Sequence, residues 1–162
     1  MTNPLICYKI WLQHTSTFTF IISMLLTSYI ILTPIVAIFY IFPSLFSNNS
    51  GPSLSSDGIV FRVAFGVIVI PLIETAIFQW LLIRTLGGNF KLSDKWCVLI
   101  SATAFGLSHL YSYQYAVFGF VLGLVLAYSF ILCDDFGKKP FLSVFMIHAS
   151  HNAISALLLR PH

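Results

Sequence analysis

Charge is what this chain lacks. Of 162 residues, eight are Lys or Arg and five are Asp or Glu, so only 8% are charged. A soluble domain carries roughly 25%, and a surface this poor in charge would aggregate in water. The few cations are scattered, with no basic cluster interleaved with aromatics, which argues against a nucleic-acid partner. Cysteine is equally uninformative for chemistry. Cys7, Cys97 and Cys133 are odd in number and far apart, with no C-x-x-C, so neither a disulfide framework nor a thiolate metal site is indicated. The H-E-x-x-H of helical zinc peptidases is also missing. Lys9 is the only early cation, and the apolar run after it is too long for the core of a signal peptide.

What remains is apolar. Hydrophobic residues make up 58% of the chain and mean hydropathy is +0.93, so the lipid bilayer is its expected solvent and first partner. Five apolar stretches are readable: Phe18 to Phe42, Ile59 to Leu86, Trp96 to Tyr111, Tyr115 to Cys133, and Pro140 to Leu159. Pro34 implies a kink in the first, which membrane helices tolerate. Gly87-Gly88-Asn89 reads as a helix C-cap, and Pro140 as a first-turn residue. The third stretch is short for a span of ~20 residues, with Tyr111 to Tyr115 as a tight turn or a continuation. Gly119 and Gly123 form a G-x-x-x-G that allows close helix approach. The runs are too long and evenly apolar for barrel strands. The expectation is an all-α, multi-pass transmembrane helical bundle of about five spanning helices. Residues 1–58 would hold the first helix and a polar loop from Ser47 to Ser53, and residues 59–162 a four-helix core.

Cationic loops orient the bundle. With Lys9 in the cytoplasm, Arg84, Lys91, Lys95, Lys138 and Lys139 also fall inside, and Arg62 and Arg160 outside.

Four polar residues lie deep in these stretches. Glu74 sits within Ile68-Val-Ile-Pro-Leu-Ile-Glu-Thr-Ala-Ile-Phe, and His109 closes Phe105-Gly-Leu-Ser-His. His148 and Asn152 lie in Ile147-His-Ala-Ser-His-Asn. Ionisable side chains there are expensive and mark function. At ~1.5 Å rise per residue they are about 14–21 Å from the nearest cationic ends, close to the middle of a ~30 Å core. His148 and Asn152, at i and i+4, share a helix face. One buried polar site is the economical reading. A network that only ties helices together is the bland alternative. His151 is expected to pack rather than react, and His14 and His162, near the termini, to be solvated.

These residues stand in three spaced motifs. The chain has Glu74-Thr75-Ala-Ile-Phe-Gln79, then Phe105-Gly-Leu-Ser-His109, then His148-Ala-Ser-His-Asn152. In order and helix placement they resemble the E-E-x-x-x-R, F-x-x-x-H and H-x-x-x-N motifs of the CAAX-protease and bacteriocin-processing (CPBP, or Abi) family. The resemblance covers about residues 60–160. It implies an intramembrane endopeptidase with no cofactor and no metal, in which Glu74 and His109 activate water while His148 and Asn152 stabilise the oxyanion. It implies a membrane-associated peptide substrate, such as a prenylated C-terminus or a bacteriocin precursor, and a bacterial cytoplasmic membrane suits so short a chain. Thr75 and Gln79 depart from the pattern, replacing a Glu and an Arg with a neutral pair that could still hydrogen-bond. Two other readings stand beside this one. Glu74, His109 and His148 could ligate a catalytic zinc with an open fourth position. Or the bundle could be a non-catalytic bacteriocin-immunity or scaffold protein.

Overall fold

A computed structural model describes residues 3–42, 61 and 63–158. The Ser47–Ser53 loop, Arg62, Arg160 and His162 lie outside the described residues. Among the described residues six helices follow one another: α1 Pro4–His14, α2 Thr17–Ile41, α3 Ala64–Gly88, α4 Asp94–Leu107, α5 Tyr113–Asp135 and α6 Pro140–Leu158. Among the described residues there is no strand. The all-helical membrane bundle is therefore present.

Three of the helices begin at a side-chain cap. Asn3 Oδ1 accepts the Leu5 N–H at 2.9 Å, with Pro4 in the first turn of α1. Ser16 Oγ accepts the Thr19 N–H to open α2, and Ser112 Oγ accepts the Tyr115 N–H to open α5. At the far end of α5, Gly137 at φ 63° closes a Schellman turn. Its N–H reaches Asp134 O, and the Lys138 N–H reaches Cys133 O.

From Ala64 to Gly88 the second apolar stretch folds as one rod with three changes of winding. Ala64–Val69 and Thr75–Leu82 are π-helical, separated by an α-helical turn, Ile70–Glu74, and followed by Ile83–Gly88. Glu74 is the last residue of that α turn. Such widened turns gather at functional sites. The third stretch stops early: α4 ends at Leu107 because Ser108 Oγ donates to Phe105 O and the His109 N–H turns onto Gly106 O. Tyr111 lies in the turn, and Tyr113 begins α5. Pro34 lies inside α2, which continues through it.

By length and hydropathy, α2, α3 and α5 qualify as membrane-crossing helices. α4 has 14 residues, and α6 carries His148, His151 and Asn152 among its apolar residues. The expected five spans are thus three full ones with α4 and α6 packed among them. α5 is the axis of the bundle: 61% of its apolar window is buried, against 22% for α2 and for α3, whose other faces are left for lipid. α4 packs closely along α5. A Cβ at Gly123 would come within 3.0 Å of Ala102 Cα, and one at Gly106 within 2.8 Å of Phe120 Cβ. The G-x-x-x-G is therefore a packing seam, with Gly106 facing it from α4. α2 packs along α5 and α6, burying Phe20, Met24 and Leu32.

Candidate active site

Glu74, from α3, points between two imidazoles. Its Oε1 is 3.7 Å from His109 Nε2, and its Oε2 is 3.5 Å from His148 Nε2. The three residues come from three segments: the end of the α turn of α3, the turn after α4, and the middle of α6. The side chains of Glu74 and His109 keep 19% and 20% of their exposure, while His148 keeps 2%. Glu74 and His109 are therefore partly open to the surroundings, while His148 is closed off behind them.

Phe105 organises both histidines. Its carbonyl oxygen lies 2.8 Å from His109 Nδ1. A carbonyl only accepts, so Nδ1 carries the proton, and in a neutral ring the lone pair of Nε2 faces Glu74. The Phe105 ring is buried and lies 4.7 Å from the His109 ring and 5.4 Å, edge-on, from that of His148. On the other side of His109, Gly119 leaves the room it needs: a Cβ there would stand 3.2 Å from the ring. The spacing F-x-x-x-H thus places one residue's backbone and ring where they hold the next residue's imidazole.

His148 is held differently. Its Nδ1 lies 3.5 Å from the hydroxyl of Thr75. If Thr75 donates, the proton of His148 sits on Nε2, aimed at the carboxylate. The Thr75–Gln79 hydrogen bond that the sequence allows does not form, because Thr75 has turned to His148. Gln79 is fully buried, and neither its Nε2 nor its Oε1 has a hydrogen-bond partner.

Asn152 lies one turn beyond His148, and its Nδ2 donates to Gly66 O in the first π segment at 2.9 Å. His151 packs, as its position suggests. It is buried, stacks on Tyr29 at 4.6 Å, and has its Nδ1 3.4 Å from Ser28 Oγ, so it ties α6 to α2. His14 is exposed. Among the described residues, no group of three or more His, Cys, Asp or Glu side chains is arranged to hold a metal ion.

Chemically, an Nε2 lone pair and a carboxylate oxygen 3.7 Å apart can both reach one water at an ordinary ~2.8 Å. With Thr75 donating to His148 Nδ1, the Nε2–H of His148 on the opposite side of Glu74 gives a donor for a developing negative charge. Base, water position and donor are the parts of a hydrolase.

The sequence reading missed three contributors: Thr75 as the partner of His148, Gly119 as the space for His109, and Gly66 as the acceptor for Asn152. Gly119 alone carried a signal, through its G-x-x-x-G. A family model described as type II CAAX prenyl endopeptidase Rce1-like matches residues 56–154, a range that holds all three motifs. No curated protein and no solved structure matches the chain.

Proposed function

This chain belongs to the type II CAAX prenyl endopeptidase Rce1-like family, and we propose that it is a membrane-embedded endopeptidase that hydrolyses a peptide held at the bilayer by a lipid anchor or an apolar segment. The observation that carries the reading is Glu74 bracketed by two imidazole Nε2 atoms at 3.5 and 3.7 Å.

In this mechanism a water lies between Glu74 and His109. His109 Nε2 accepts one of its hydrogens and orients it; Glu74 accepts the other as a general base. The hydroxide formed attacks the scissile carbonyl carbon. Negative charge gathers on the carbonyl oxygen and is met by His148 Nε2–H, with the second N–H of Asn152 free of the Gly66 bond and able to join it. The tetrahedral intermediate collapses as the C–N bond breaks. Glu74 returns its proton to the departing amine, and a new carboxylate and a new amine leave. The side of Glu74 and His109 that keeps exposure is the side from which water and peptide enter.

The test is turnover of a farnesylated C-terminal peptide, and of a bacteriocin-type precursor peptide, by the purified protein in lipid nanodiscs. Wild type is compared with Glu74→Gln, which keeps shape but cannot take a proton. Loss of a general base lowers kcat by about 10²–10⁴-fold, with the protein still folded. Near-wild-type turnover by Glu74→Gln on a substrate that wild type cleaves would sink the mechanism.

A further inference from the structure

In α3 the backbone ladder of the first π segment runs into a proline. Ile70 donates its N–H to Phe65 O, five residues back. In that π register the next donor, for Gly66 O, is residue 71. Residue 71 is proline and has no N–H. Asn152 fills the place from another helix, its Nδ2 donating to Gly66 O at 2.9 Å from 86 positions away. In lipid a carbonyl left open is costly, so this bond couples the two helices.

Its position matters. Pro71 is buried and stands three residues before Glu74. Asn152 stands four residues after His148, on the same helix face. The bond therefore joins the helix that carries the carboxylate to the helix that carries the imidazole facing it. A slip of α3 by a fraction of a turn would alter the 3.5 Å separation of Glu74 and His148.

We propose that Asn152 is a positioning residue for Glu74: its amide closes the gap that Pro71 leaves at Gly66 O, and so sets the register of α3 against α6. The kinetic part of this inference rests on the peptidase reading above; the structural part does not.

Pro71 makes the idea testable, because Pro71→Ala returns an N–H to residue 71 and lets α3 serve Gly66 O itself. Four proteins are compared in nanodiscs: wild type, Asn152→Ala, Pro71→Ala, and the double variant. The readouts are kcat and KM on a peptide the wild type cleaves, thermal midpoint, and hydrogen exchange of the peptide covering residues 64–74. Asn152→Ala should lower kcat by about 10²-fold, as misplacement by a fraction of an ångström to 1 Å does, with KM little changed. It should also lower the midpoint and speed exchange in residues 64–74. Pro71→Ala should resemble wild type, and the double variant should recover at least about tenfold of the lost kcat. A double variant as slow as Asn152→Ala, beside an active Pro71→Ala, overturns the proposal and leaves Asn152 acting on the reacting atoms alone. So does unchanged exchange in residues 64–74 of Asn152→Ala, which decides the matter even where Pro71→Ala does not fold. If wild type cleaves no peptide offered, the peptidase reading is what fails. Midpoint and exchange then still judge the hydrogen bond, and a loss in Asn152→Ala that Pro71→Ala leaves unrepaired overturns it.

Discussion

Thr75 and Gln79 are neighbours on one helix face, yet they have opposite fates. The Thr75 hydroxyl reaches His148 Nδ1 at 3.5 Å, which keeps the opposite nitrogen of that ring facing Glu74. Thr75→Val removes the hydroxyl at nearly constant volume. We expect a loss of about one hydrogen bond, ~0.5–1.5 kcal/mol, read in kcat as at most roughly tenfold. Turnover and thermal midpoint measured together would check this; a total loss of activity in folded protein would move Thr75 into the reacting set. Gln79 is buried with both amide atoms unpartnered, a state that costs about 1–3 kcal/mol. Gln79→Met, close in volume and apolar, is expected to raise the thermal midpoint and leave kcat unchanged. A fall in the midpoint would show that the amide has a partner in the membrane. At this scale the sequence was legible where a residue type is costly in lipid. Glu74, His109 and His148 announce themselves by their charge or polarity at depth. Gly66 and Thr75 do not, because what they do depends on winding and on a helix far off in the chain.

At the scale of elements, the α4–α5 seam links packing to chemistry. Gly119 and Gly123 are one turn apart on α5, but a Cβ at each would strike a different neighbour. At Gly119 it meets the His109 ring at 3.2 Å; at Gly123 it meets the backbone of Ala102 at 3.0 Å and the Phe105 ring at 3.1 Å. Gly119→Ala should therefore lower kcat, by about 10²-fold for a displaced imidazole, with a small change in midpoint. Gly123→Ala forces two backbones apart, an overpacking that costs typically 1–3 kcal/mol, and should lower the midpoint more. Equal effects on both readouts by both variants would contradict the separation. The boundaries of α2, α5 and α6 were legible to within a residue or two, since apolar runs end abruptly at Ser, Asp and Pro. The end of α4 was not, because Leu110 and Tyr111 are as apolar as a helix interior and the stop comes from hydrogen bonds around Phe105 and Gly106. The π segments of α3 leave no trace in composition. α1 was not legible, although Asn3-Pro4 is a good opening for a helix, because its 11 residues are too few to cross a membrane and Lys9 and Gln13 interrupt their apolar run.

At the scale of the whole molecule, three side-chain hydrogen bonds gather at one end of the bundle. Arg84 of α3 bonds Asp134 at the end of α5 at 2.6 Å. Lys138, in the turn before α6, donates to Gln13 O and Thr15 O at the end of α1, where cations suit a helix C-terminus. The Arg84 pair is half exposed and adds little stability, but it fixes which ends meet. Single cysteines at Asn89 and at Gly137, in a chain without its native cysteines, should therefore be labelled from the same side in sealed vesicles. The cationic residues at this end predict the cytoplasmic side. Labelling from opposite sides would break the topology, and labelling of both from outside would invert it. Membrane location was legible because composition alone demands it. The order of packing was not: mean hydropathy is 2.2 in α2 and 2.4 in α5, yet 22% of one window is buried and 61% of the other. Lipid and protein are equally apolar neighbours, so hydropathy does not tell a helix which one it will face.

The brevity of α4 carries a consequence for the lipid itself. Its 14 residues span about 21 Å of a hydrocarbon core ~30 Å thick, and its outer face, with Trp96, Leu99 and Leu107, is exposed. With Asp94 and Lys95 at one headgroup layer, the other end, with His109, would stop short of the opposite one, and Leu110, Tyr111 and Tyr113, all exposed, would meet that leaflet below its usual level. Hydrophobic mismatch of this kind is relieved by local thinning of the bilayer, which is expected here beside Glu74 and His109. On the proposed peptidase reading, a peptide tethered to that leaflet would have less depth to cross there, and acyl-chain length would become a control on how readily it reaches the carboxylate.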